Sequence, residues 1–211
     1  MNEKIADILK TAISGLNFVD KIAGLIQVGY LTKGEVQKKV GKEFAYDELN
    51  TIKVPMSLGY TDCTTSKPGS YDLYFPDKAY KSVIFFEDQG VSLVDQHRAR
   101  IDYVATLRLV CWFNRKKIEP DTTVLKRNDL IALLNNAILD VQANTSDFNR
   151  LYVEFKGEAV HSEDIYSKYD LDVNMYQYMM YPYELFALDY DIFYTVTKIC
   201  PDDIELNPDV C

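Results

Sequence analysis

Histidine is nearly missing from this 211-residue chain, with only His97 and His161, and tryptophan is represented by Trp112 alone. The four cysteines, Cys63, Cys111, Cys200 and Cys211, form no CxxC pair and have no histidine at ligand spacing, so a zinc site is not expected. Nothing in their spacing demands a secreted disulfide framework, and reduced thiols in a cytosolic setting are the expectation. Basic residues are in deficit. Twenty-three Lys and Arg against 32 Asp and Glu leave a formal charge of −9. A nucleic-acid binder needs the opposite surplus to displace counterions from phosphates. No apolar run approaches the roughly 18 residues of a membrane-spanning helix. MNEKIADILK distributes its charges too evenly for a signal peptide, so a soluble protein that stays where it is made is expected. Walker, GxGxxG, GxSxG and Cys-His signatures are all lacking, which removes the sequence grounds for assigning a nucleotide-binding or nucleophilic enzyme.

What is present is a strong alternating stretch followed by a strong helical one. From Ile101 to Phe113, the side chains of Ile101, Tyr103, Ala105, Leu107, Leu109, Cys111 and Phe113 fall on one face of a strand. The other face carries Asp102, Val104, Thr106, Arg108, Val110 and Trp112, a set suited to partial cover. In Asp129–Gln142, Leu130, Leu133, Leu134, Ala137, Ile138 and Val141 make one apolar helical stripe, with Asn128 or Asp129 as N-cap. The two apolar surfaces can bury one another. A first helix is marked by Ile5, Ile8, Leu9, Ala12, Ile13 and Leu16, and Phe18–Tyr30 reads as loop and strand.

Lys53–Tyr60 reads as a short strand whose Pro55 requires an edge or a strand start. Ser82–Glu87 and Val91–Arg98 read as a hairpin about Asp88-Gln89-Gly90, running on into the central strand as a three-strand antiparallel meander. Leu151–Val160 and Asp189–Ile199 supply two C-terminal strands. The predicted class is therefore α+β, an antiparallel sheet packed by an N-terminal and a central amphipathic helix. Residues 1–200 form a single domain with loop insertions at about 62–70 and 162–187, and 201–211 form an extended tail.

Candidate chemistry is sparse. Glu154 and Lys156, two apart on a strand, have the spacing by which metal-dependent nucleases hold Mg²⁺ and stabilise a scissile phosphate, but no upstream aspartate is marked. A solvated strand face accounts for the same pair. The stretch Tyr166–Tyr194 holds half of the sixteen tyrosines, which suits either a contact surface, with Tyr176, Tyr178, Tyr181 and Tyr183 in it, or a partly buried aromatic layer. Arg115, Lys116 and Lys117 make a basic spot that could face acids of another copy, among them Asp202 and Asp203 of the tail, or simply be a solvated loop.

The order of elements resembles the tail-completion, tail-terminator and head-tail connector ring proteins of tailed bacteriophages, with a flavour of the crAss-like phages. The resemblance is carried by the Ile5–Leu16 helix, KVPMSLGY at Lys53, the Ile101–Phe113 strand leading to the Asp129–Gln142 helix, and LDYDIFYTVTKI at Leu188. It is a pattern over most of the chain, and the segments 62–70 and 162–188 are longer than a minimal member has. The resemblance implies a structural, non-enzymatic virion protein without cofactor, assembled in the host cytoplasm and located at the head-tail junction or tail. Its partners would be copies of itself in a ring, neighbouring portal, connector or tail proteins, and DNA passing through the channel without specific binding. The alternatives are a Mg²⁺-dependent nuclease using Glu154 and Lys156, and a soluble acidic binding module.

Overall fold

The alternation along Ile101–Phe113 has the consequence it predicts on the apolar face, for this segment lies within a long strand over a core; the second face, expected to be only partly covered, carries a smaller core of its own. In the computed structural model, residues 1–32, 37–40, 43–46, 51–57, 72–96, 100–118, 126–141, 148, 150–159, 165–170 and 177–197 are described. The expected loop at 62–70, the tail at 201–211, both histidines and Cys63, Cys200 and Cys211 lie outside them.

The elements run α1 (Asn2–Ile13), β1 (Lys21–Thr32), β2 (Gln37–Val40), β3 (Glu43–Tyr46), β4 (Thr51–Ser57), β5 (Ser82–Gln96), β6 (Arg100–Asn114), α2 (Arg115–Ile118), α3 (Arg127–Leu139), β7 (Arg150–Glu158) and β8 (Tyr183–Thr197). Six strands form a mostly antiparallel sheet in the order β4-β1-β5-β6-β8-β7, and β2 pairs with β3 separately. The one parallel pairing in that six-strand sheet is β1 with β5. The protein is thus a mixed α/β fold.

Three expectations are corrected. Ser82–Arg98 does not fold into a hairpin about Gly90. Ser82–Gln96 is a single strand paired with β6 from Ser82↔Phe113 to Gln96↔Ile101. Gly90 does take the positive φ expected of it, at 120°, but beside a register shift between Asp88 and Gly90. It serves a bulge in a continuing strand, which costs one unpaired residue where a reversal would have cost the whole ladder with β6. The three-strand meander is therefore two strands, and β8 rather than β7 lies beside β6. Tyr183–Leu188, assigned to an insertion, belongs to β8. Pro55 is in β4, at the edge of the sheet, where its missing N–H need not serve a second neighbour.

The helices cover one face of the sheet. Ile5, Ala6, Leu9 and Ile13 of α1 and Leu130, Leu134 and Ile138 of α3 join Leu107, Leu109, Cys111 and Phe113 of β6 and Phe186, Leu188 and Tyr190 of β8 in one core. The N-cap of α3 is Lys126, two residues before Asn128 and three before Asp129, the two expected caps: Asp129 lies in the first turn and accepts a hydrogen bond from the Lys126 backbone N–H at 2.8 Å. A carboxylate there also meets the positive end of the helix dipole.

Cys111 is wholly buried in this core, and loss of water around it pushes the thiol well above its ordinary pKa. A maleimide is therefore expected to leave Cys111 unmodified in the native protein and to label it only in denaturant, as peptide mapping by mass spectrometry would show.

The opposite face is half covered. Val83, Phe85, Val110, Trp112 and Ala187 lie under Ile165, Tyr166 and Tyr169, forming a second, smaller core with Tyr178 and Tyr183 against it. Trp112 donates from Nε1 to the Tyr178 carbonyl at 2.7 Å and stacks on Tyr183 at 5.2 Å between ring centroids. At the margin of this cover, the buried carboxylate of Glu87 accepts from the Tyr169 hydroxyl at 2.9 Å and lies 2.7 Å from Lys168 Nζ. A buried charge persists only when held in this way.

Candidate functional site

Beyond the covered half, β5, β6, β8 and β7 continue as a four-stranded end. Pairing places their residues in level rows, and a directly opposed pair shares a face. On the outer face the rows are Asp95, Asp102, Thr195, Arg150; then Ser92, Val104, Phe193, Tyr152; then Gly90, Thr106, Asp191, Glu154. On the helix face, Leu93, Tyr103, Tyr194, Leu151 and Val91, Ala105, Ile192, Val153 are likewise level.

The outer face is polar and internally bonded. Arg108 grips Asp189 through two nitrogens at 2.8 and 3.0 Å. Asp191 accepts from the Thr106 hydroxyl at 2.6 Å and lies 3.0 Å from Lys156 Nζ. Asp102 accepts from Thr195 at 2.6 Å. These bonds tie β6, β8 and β7 at fixed relative levels. Each partly exposed ion pair adds only about 0–1 kcal/mol, so the ladder sets geometry more than stability. A groove of about 550 Å³ crosses this end, lined by Arg100, Asp102, Arg150, Tyr152, Phe193 and Thr195 among others.

Both margins of this end are open among the described residues. β1 leaves β5 after the Leu25–Phe86 pair, so from Glu87 to Gln96 β5 has β6 on one side and no described strand on the other. β7 pairs only with β8. The free part of β5 exposes Val91, Leu93 and Val94 at 47, 57 and 55 %. Three large aliphatic side chains on an open edge are a pairing surface, because native edges are usually blunted by charge or proline. Their clustering in VSLV is visible in the sequence, but it reads as an ordinary inner strand while Val91–Arg98 is taken for the return of a hairpin.

The residues singled out from sequence are dispersed. Glu154 is exposed on β7 opposite Asp191, and Lys156 is engaged by that same Asp191. Among the described residues no three His, Cys, Asp or Glu side chains converge to share a metal ion. Arg115 pairs with Glu184, Lys117 donates to the Ala79 carbonyl at 2.6 Å, and Lys116 is exposed. Tyr178 and Tyr183 pack on Trp112, whereas Tyr181, 88 % exposed, projects beside Met180, 69 % exposed. Tyr176, Asp202 and Asp203 lie outside the described residues. No helix among the described residues is long and apolar enough to cross a membrane.

Comparison with protein-family models, with curated proteins and with solved structures found no match.

Proposed function

We propose that this chain is a structural virion protein whose copies assemble into a ring at the head-tail junction or tail of a tailed bacteriophage, surrounding the DNA channel. One observation carries the reading: among the described residues the four-stranded end has two open margins on opposite sides, one of them lined by exposed Val91, Leu93 and Val94. A subunit with unlike edges on opposite sides can bind its own copies head to tail, and such contacts close into a ring when the rotation per subunit divides a full turn. The net charge of −9 fits a channel that DNA traverses without sticking, since excess carboxylates repel phosphates. The exposed Met180-Tyr181 tip is a separate surface on which a neighbouring portal, connector or tail protein can bear.

The test is light scattering coupled to size exclusion at micromolar protein, with negative-stain microscopy of the eluted species. The expected result is one discrete oligomer seen as a ring. A monomer at every concentration and salt condition overturns the proposal.

A further inference from the structure

We infer that the subunits join through a specific antiparallel strand pair: the free part of β5, residues 88–96, of one copy against β7, residues 150–158, of the next. The inference rests on the ring reading and adds the junction to it.

Strand direction is the first support. β5 is antiparallel to β6, β6 to β8, and β8 to β7. Three reversals leave β5 and β7 antiparallel, so two copies placed side by side with the same face outward continue one antiparallel sheet without turning either subunit over. Backbone N–H and C=O groups along both open edges then acquire partners.

The rows across the sheet are the second. When two copies meet at the same level, the row that ends in Arg150 on β7 meets the row that begins with Asp95 on β5 of the neighbour, on the outer face. On the helix face, Leu151 comes beside the neighbour's Leu93, and Val153 beside its Val91. Opposite charges meet on one face and aliphatic side chains on the other, with the register shift between Leu93 and Asp95 carried across the junction. A one-residue slip would turn aliphatic against charged, so this level is specified.

The two-fold alternatives are poorer. Pairing β7 with β7 of a second copy about a centre at Glu154 opposes that carboxylate to itself. Pairing β5 with β5 joins the aliphatic side chains but leaves β7 open.

The experiment uses the full chain with Ser92→Cys and Tyr152→Cys, singly and together, treated with a short thiol crosslinker and compared with the unsubstituted chain. Both positions are exposed on the outer face, and their rows coincide at the proposed level. The expected result is a ladder of dimers, trimers and larger species from the double variant only. A Ser92→Cys single variant that crosslinks to a dimer and stops, or a double variant that oligomerises without crosslinking, overturns the junction and leaves the ring reading standing. An unsubstituted chain that stays monomeric overturns the ring reading itself.

Charge reversal supplies an independent check. Asp95→Arg or Arg150→Asp alone should weaken assembly about tenfold or more, and the two together should restore it. Failure of the pair to rescue, with each single variant still folded by circular dichroism, counts against the junction.

Discussion

Replacing Trp112 with alanine is expected to lower stability by about 3–5 kcal/mol, the range for truncating a fully buried large aromatic. The indole is buried at 0 % exposure between β6 and the segment that covers the outer face. Its removal leaves a cavity under Tyr183 and Tyr178, which stack on it or meet its edge at 5.2 and 6.4 Å. It also strands the Tyr178 carbonyl, whose hydrogen bond from Nε1 is lost. Trp112→Phe keeps most of the packing and loses that bond, so a smaller cost of about 1–3 kcal/mol is expected. Urea titrations followed by circular dichroism measure both. An alanine variant within about 1 kcal/mol of the parent would mean that the second core contributes little. Because no other tryptophan exists in the chain, its fluorescence in the parent protein reports on this core alone.

Alkaline unfolding should be unusually steep. Burial is the largest cause raising Tyr166, Tyr169 and Tyr190 well above their ordinary pKa, with the Glu87 carboxylate adding to it for the first two. A hydroxyl raised in the folded state stays protonated while the same group in the unfolded chain ionises near 10. The stabilising contribution is thus complete below about pH 10 and is lost as pH rises above it, because the unfolded state then binds fewer protons. Each such tyrosine changes stability by about 1.4 kcal/mol per pH unit, or about 4 kcal/mol per unit for the three. Against a typical total of about 5–15 kcal/mol, cooperative unfolding between about pH 11 and 14 is expected. Exposed tyrosines ionise first, and a later tyrosinate step should coincide with loss of circular dichroism. Early, graded ionisation of these three tyrosines in a still-folded protein would contradict their burial.

Much of the helix-covered core was legible from spacing. The α1 and α3 stripes and the odd-numbered side chains of β6 are where periodicity puts them, since a side chain's direction follows from local backbone geometry alone. The outer face was harder to read. Asp102, Thr106 and Arg108 belong in sequence to a face suited to partial cover, and they are half-buried on the half that no described segment covers. Val110 and Trp112, two residues further along the same face, are covered by Ile165, Tyr166 and Tyr169. Alternation reports which side a residue faces and is silent about what lies over that side. The tyrosine-rich segment shows the same limit: Tyr178 and Tyr183 bind their own domain while Tyr181 projects outward, a division that composition alone could not make.

The candidate edges were invisible for a related reason. Asp88-Gln89-Gly90 has the chemistry of a reversal, and a glycine with positive φ serves a bulge as readily as a turn. The choice between them was made by β6, which offers a ladder fifteen residues long and rewards a partner of equal length. Once β5 runs straight on, its far half outdistances β1 and, among the described residues, becomes an edge. Length, charge balance, the helical stripes and the two-faced central strand are properties of neighbouring residues, and the sequence by itself determined them. Strand order, the placement of β8 between β6 and β7, the cover over Trp112 and the two margins left open among the described residues depend on contacts between distant segments, and only the tertiary structure decided those.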